Sequence, residues 1–369
     1  MTKFIPVAVP DLSGNEKKYV IDCIDTSWIS SGGEYIKRFE NAFSAFFNIK
    51  HSLSCCNGTV ALHLPLLIFG IGHGDEVIVP SFTYIATANA VRYCGGTPVF
   101  ADCLPDTWNI DPKDVERKIT SRTKAIIPVH IYGNPCDMDS IMEIAKKYKL
   151  YVLEDAAECH GALYDGKKAG TIGDIGTFSF FGNKIITTGE GGMIVTNNDE
   201  FAEKMRLLKG QGMDPTRRYW FNVIGYNYRM TNIEAAIGLA QLENIDTHIS
   251  NRKKVAEWYK EALSPLNEFI NFQSITPKSE NVWWMFSISL TDKSKITRDE
   301  LISKLHEDGI ETRPLFYPMH IMPPYFDKDA KCPISEKVAA NGINLPTHSM
   351  LSRDDIFFIC NKIKKYITE

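Results

Sequence analysis

KAIIPVHIYGNPCDMDSIMEIAKKYKLYVLED, Lys124 to Asp155, is a strand, a helix and a strand in 32 residues. The β-branched run Lys124 to Val129 gives way to an amphipathic segment from Met138 to Lys149, and a second apolar run, Leu150 to Glu154, follows at once. The same alternation extends outward from about residue 52 to 210. Further strands are expected at Glu76 to Pro80, Thr97 to Asp102, Thr177 to Phe181 and Gly192 to Thr196. Helices are expected at Thr59 to Phe69, Tyr84 to Tyr93, Pro112 to Ile119 and Asp199 to Lys209. Repetition of this kind predicts an α/β fold with a mostly parallel central sheet flanked by helices, and ligands beyond the carboxyl ends of the strands.

After Trp220 the texture changes. Thr231 to Ile249 reads as one helix and Ser250 to Leu263 as a second, and the final ~100 residues read as a smaller α+β unit. The expected division is 1–245 for the large domain and 246–369 for the small C-terminal one. Within the latter, Asn281 to Leu290 (NVWWMFSISL) is a strand candidate, Arg298 to Asp308 a helix capped by Thr297, and the Pro-rich Met319 to Phe326 a loop.

Composition excludes several classes. The 369 residues carry 41 Lys plus Arg against 45 Asp plus Glu, a formal charge of −4, and no basic cluster that would track a phosphate backbone. No apolar stretch reaches the ~18 residues of a membrane span, and the start, MTKFIPVAVPDLSG, has no apolar signal region, so the cytoplasm is the expected address. Nine cysteines form no CxxC pair, which argues against both a disulfide framework and a zinc site. A zinc enzyme built on His63, His130 and His160 likewise lacks paired ligand spacing, so no metal is expected.

The chemistry concentrates in FSFFGNKIITTGEGGM, Phe178 to Met193, where a glycine-bearing turn after a strand presents Lys184. Aromatics at 178, 180 and 181 promise a partly dry pocket, where desolvation lowers an ammonium's pKa and makes the amine a nucleophile toward an aldehyde. An aldehyde cofactor would need three more anchors. Glu154 and Asp155 close a hydrophobic strand in EDAAECHGA, and a carboxylate there would keep a pyridine nitrogen protonated. Asn57-Gly58-Thr59 opens a helix, whose unpaired N–H groups face an anion, and Ser179 adds a hydroxyl. Phe82 and Tyr84 each offer a ring to stack on the cofactor. Pro65, inside the helix that Asn57 opens, deletes a backbone bond and is expected to kink or end it.

These pieces, in this order, resemble the sugar-nucleotide aminotransferases of the DegT/DnrJ/EryC1/StrS family, pyridoxal-phosphate enzymes of fold type I. The likeness covers nearly the whole chain and is carried by NGTVALHL (57–64), PSFTYIAT (80–87), EDAAECHGA (154–162), FSFFGNKIITTGEGGM (178–193) and GYNYRMTNIEAAIGLAQLE (225–243). It implies pyridoxal 5'-phosphate as cofactor, with Lys184 joining its aldehyde and Asp155 on its ring nitrogen. Glu158 stands where the family commonly has a Gln on the ring hydroxyl. Gly58, Thr59 and Ser179 match phosphate contacts, and Tyr84 matches the stacking ring better than Phe82. Asn227 resembles a residue that reaches the cofactor phosphate of a neighbouring subunit, which implies a homodimer with shared active sites, or a larger oligomer built from it. Some members carry histidine in place of the lysine and dehydrate sugars; lysine here implies transamination.

Within the family, Asp25 to Glu40 (DTSWISSGGEYIKRFE), Asn281 to Leu290 and Gly309 to Tyr325 (GIETRPLFYPMHIMPPY) look closest to enzymes that aminate GDP-4-keto-6-deoxy-D-mannose with L-glutamate for O-antigen and lipopolysaccharide biosynthesis. Arg313, His320 and, more weakly, Arg229 are substrate candidates, since a guanidinium binds phosphate through paired hydrogen bonds. The competing readings are a UDP- or dTDP-linked 4-keto sugar as substrate and, outside enzymes, a binding protein that keeps the fold without turnover.

Overall fold

In the computed structural model, which describes residues 4–368, strands buried on both faces explain the near-continuous apolar runs. The large part of the chain contributes strands β1 (His51–Cys55), β2 (Glu76–Pro80), β3 (Thr97–Ala101), β4 (Thr123–Ile126), β5 (Tyr151–Asp155), β6 (Leu163–Tyr164), β7 (Lys167–Lys168), β8 (Ile175–Ser179) and β9 (Gly192–Thr196). Its helices are α1 (Glu16–Asp25), α2 (Glu34–Phe47), α3 (Gly58–Ile68), α4 (Ala86–Tyr93), α5 (Pro112–Arg117), α6 (Met138–Tyr148), α7 (Asp199–Lys209) and α8 (Asn232–Glu243). The remaining elements are α9 (Ile245–Leu263), β10 (Ile270–Phe272), β11 (Ser279–Glu280), β12 (Phe286–Leu290), α10 (Arg298–Glu307), β13 (Arg313–Pro314), α11 (Pro333–Asn341), β14 (Gly342–Leu345) and α12 (Arg353–Thr368).

The central sheet has the order β1-β9-β8-β5-β4-β2-β3. Its β5–β8, β4–β5, β2–β4 and β2–β3 pairs are parallel, and β9 alone runs against its neighbours. Alternation along the strands feeds two layers. Leu153, Ile175 and Ile194 face Leu62, Leu64, Val91 and Met205 from α3, α4 and α7. On the other face Phe178, Met193 and Val195 meet Phe39, Phe43 and Phe47 of α2 and Leu239 of α8, and Val152 meets Ile141 and Ile144 of α6. Phe178 lies 4.6 Å from Phe47 and 5.1 Å from Phe43 between ring centroids. The C-terminal unit is a four-stranded antiparallel sheet, β10-β12-β14-β13, packed on α9, α10 and α12. Ile5 bridges to Ile310, so the first described residues run alongside this unit rather than the central sheet. The short strands β6, β7 and β11 form a separate ribbon.

Three local expectations are corrected. Helix α3 runs through Pro65 to Ile68 without a break. The proline falls in the last turn of a helix buried among Leu62, Leu64 and Leu66, where packing outweighs one missing hydrogen bond. The Thr231–Leu263 region divides at Asn244, not after Ile249; Asn244 leaves helical geometry at φ −109°, as a side chain that competes for nearby backbone groups does. The strand expected from Asn281 starts only at Phe286, because Trp283 adopts φ +53° and its N–H donates to the Asn281 side chain at 2.6 Å. The Pro-rich loop holds two 3-10 turns, Met319–Ile321 and Pro323–Tyr325.

Candidate active site

The parallel pairing of β5 with β8 sets Asp155 beside Thr177, so the carboxyl ends of both strands open onto one edge. There a cavity of about 520 Å³ is lined by Gly58, Thr59, Tyr84, Asp155, Glu158, Ser179 and Lys184, together with Arg313 from the C-terminal unit. Asn57 also borders it and caps α3, accepting the Val60 N–H at 3.0 Å. The first turn of α3 therefore presents unpaired N–H groups to the cavity. Gly58 is required by space: a Cβ there would stand 2.7 Å from the Ser179 Cβ and 3.3 Å from its Cα. Gly192 closes the same corner, since its Cβ would meet the Asn57 carbonyl at 2.5 Å.

Lys184 reaches the cavity from the β8–β9 connection. Its side chain is 12% exposed, and burial lowers its pKa, opposed by the carboxylates of Glu158 and Asp155. Nζ lies 3.9 Å from Glu158 Oε1 and 3.9 Å from the ring centroid of Trp284. The Trp284 indole N–H donates to the Asn183 carbonyl at 2.8 Å, which fixes the turn that carries the lysine. Glu158 is 4% exposed, accepts the Tyr132 N–H at 2.7 Å, and is pushed up to about 7 by burial. Asp155 is raised by burial too, although it accepts the Thr87 hydroxyl at 2.8 Å and the Ala157 N–H at 3.2 Å. Its neighbour Glu154 points the other way and is fully committed: it accepts N–H groups from Gly170, Ile172 and Gly173 and pairs with His130.

Other expected residues fall elsewhere. Phe82 is buried against Tyr132, whereas Tyr84 is 60% exposed at the cavity, 6.0 Å from Phe316. Of the three aromatics expected to dry the pocket, Phe178 and Phe180 belong to the core behind it and only Phe181 reaches the lining. Arg313 is held by Glu311 at 3.1 Å. Asn227 and Arg229 do not line this cavity; they are exposed and paired with each other at 3.1 Å. His320 is also outside it. The 3-10 turns bury its ring, with Nδ1 at 2.7 Å from the Ser81 hydroxyl and Nε2 at 3.2 Å from Glu336. Trp284, Thr87 and Tyr132 are the contributors that sequence reasoning missed; only the WW pair at 283–284 could have drawn attention to the first.

The residues present fit pyridoxal phosphate. A cradle that a single methyl would fill backs a helix N-terminus and a serine hydroxyl, and a buried carboxylate and a lysine only 12% exposed line the same cavity. Fold and cavity together define a pyridoxal-phosphate-dependent aminotransferase of fold type I. The profile of the DegT/DnrJ/EryC1/StrS aminotransferase family matches residues 10–364, and the chain belongs to that family. It is 56% identical to GDP-perosamine synthase of Caulobacter vibrioides over 95% of both chains, and 49% identical to GDP-perosamine synthase of Escherichia coli O157:H7 over the full length of both. Among solved structures, DesV of S. venezuelae superimposes with a TM-score of 0.93 at 32% identity over the whole of both chains. PseC of Helicobacter pylori, an aminotransferase in pseudoaminic acid biosynthesis, does so with a TM-score of 0.93 at 28% identity over 99% of each.

Proposed function

We propose that this enzyme transfers the amino group of L-glutamate to GDP-4-keto-6-deoxy-D-mannose, forming GDP-perosamine for O-antigen and lipopolysaccharide assembly. Identity of 56% and 49% to two GDP-perosamine synthases, at full or nearly full length, supports the substrate. The observation that carries the chemistry is a lysine at 12% exposure facing a second buried carboxylate in the same cavity as Asp155.

Bound pyridoxal phosphate supplies an aldehyde that carries nitrogen and a ring that withdraws electrons from the reacting carbon. Gly58, Thr59, Ser179 and the first turn of α3 would hold its phosphate, Asp155 its ring nitrogen, Glu158 its ring hydroxyl and Tyr84 its face. Burial lowers the pKa of Lys184, which favours the neutral nucleophilic amine, and Nζ would take and return the proton at the substrate carbon. Trp284, Phe316 and Met285 give that exchange an apolar wall. Arg313, the guanidinium on the cavity wall, would meet the diphosphate.

A homodimer is part of this reading. Between Met213 and Ile224 the chain exposes Tyr219, Trp220, Phe221 and Ile224, an apolar patch that a second copy would cover, and Asn227 follows directly. A cytoplasmic address is supported by nine free cysteines, and no described helix is long and apolar enough to cross a membrane. The test is a panel of GDP-, UDP- and dTDP-linked 4-keto-6-deoxy sugars with glutamate as donor. Fastest amination of the GDP sugar is expected; faster turnover of a UDP or dTDP sugar would overturn the assignment.

A further inference from the structure

We infer that Glu158 and Trp284 form a receptacle for the free ammonium of Lys184, in which Glu158 is the carboxylate that takes and returns its proton. The inference rests on the reading of Lys184 as the cofactor-bearing lysine and adds what receives that lysine whenever it is released.

The geometry is specific. Glu158 Oε2 is occupied by the Tyr132 N–H at 2.7 Å, which aims Oε1 at Lys184 Nζ, 3.9 Å away. That distance is an ion pair rather than a hydrogen bond, so a rotation at the end of the lysine chain completes the transfer path. On the other side the π-face of Trp284 stands 3.9 Å from Nζ, and its N–H holds the Asn183 carbonyl one residue before the lysine. Ammonium is attracted to both surfaces, by charge and by the ring quadrupole. Asp155 is a poorer proton partner, because one of its oxygens accepts from Thr87 and the other from Ala157.

Transfer moves one proton from Nζ of the ammonium to Oε1 of the carboxylate, leaving a neutral amine and a neutral acid with no change in net charge. The groups that face or sense Lys184 are Asp155 at the end of β5, Glu158 and Cys159 after it, and His160 beyond them. Glu190 from the β8–β9 connection and Arg313 from the C-terminal unit line the same cavity. Burial moves Glu158 up to about 7 and Lys184 down, so the two approach each other, which a shared proton requires.

Competitive acetylation of the full-length chain, stripped of cofactor, measures the proton affinity of Lys184 by peptide mass spectrometry across neutral to alkaline pH. Glu158→Gln keeps an acceptor for the Tyr132 N–H and removes the charge. Its Lys184 midpoint should fall by about one pH unit or more, the effect of losing an opposite charge within ~4–6 Å. Trp284→Phe, with a weaker ring quadrupole, should lower it in the same direction by less. An unchanged or higher midpoint in Glu158→Gln overturns the inference. If that variant does not fold by circular dichroism, Glu158→Asp decides, since withdrawing the charge by one methylene should lower the midpoint partway and an unchanged value refutes. The labelling reads the free lysine and needs no turnover, so its outcome is separate from failure of the proposed transamination.

Discussion

Gly58→Ala tests the phosphate cradle most sharply. The new Cβ would lie 2.7 Å from the Ser179 Cβ, 3.0 Å from its Oγ and 3.3 Å from its Cα, so rotation of the serine alone cannot make room. A free chain relieves the overlap by moving the first turn of α3 away from β8. Holding a phosphate brings the two back together, so the strain appears in cofactor affinity more than in folding. Overpacking of this size costs about 1–3 kcal/mol. At about 1.4 kcal/mol per tenfold, that is roughly 5- to 150-fold weaker binding. Titration of the stripped chain with pyridoxal phosphate, followed by visible absorption, measures it. Ser179→Gly removes the atom that collides, so in that background the penalty of Gly58→Ala should shrink below about 1 kcal/mol, a coupling a double-mutant cycle resolves. Equal affinity in Gly58→Ala and the parent, or an equal penalty in both backgrounds, would refute the cradle.

Arg252 is buried without a carboxylate within 4 Å among the described residues, and donates to the Trp284 carbonyl at 3.0 Å and the Thr347 carbonyl at 2.8 Å. Arg252→Ala orphans both at about 1–3 kcal/mol each, offset in part by removal of an unbalanced charge, for a net loss of about 3 kcal/mol in chemical denaturation. His160 is buried beside Phe178 and Phe180, with no side-chain hydrogen-bond partner among the described residues; burial, opposed only in part by the Ser179 backbone, takes it from the usual 6.5 to about 3. The unfolded chain therefore binds a proton below about pH 6.5 that the folded chain refuses, and stability falls on acidification through that window by up to about 1.4 kcal/mol per pH unit. His160→Leu should flatten that limb of a denaturation series and be neutral or stabilising at pH 7; an unchanged acid limb would count against it.

Much of the fold was legible because buried parallel strands and their helices are separated by strong punctuation. Gly192 to Thr196 and Asp199 to Lys209 occur as read, with Asn198 accepting the Phe201 N–H as cap. Thr297 caps α10 as read, and the structure adds a reciprocal capping box with Glu300. What failed was tertiary. Pro65 breaks no helix because burial holds the helix that propensity would end. Period-two alternation could not foresee that Trp283 turns to φ +53° and hands Trp284 to a lysine about 100 residues earlier. For the site, the sheet rule made Asp155 and Ser179 readable at their strand ends, and they line one cavity with Lys184 from the following turn and with Gly58 and Tyr84. His320 was not, since a histidine in a Pro-rich segment looks the same in sequence whether it faces ligand or core.

Everything proposed for the site depends on Lys184 bearing the cofactor. Borohydride reduction of the pyridoxal-phosphate-loaded chain, followed by digestion and peptide mass spectrometry, locates the attachment directly. The added cofactor mass is expected on Lys184 alone and is expected to be absent from a Lys184→Arg chain; a label on any other lysine, or none on Lys184 at saturating cofactor, would refute Lys184 as the attachment point.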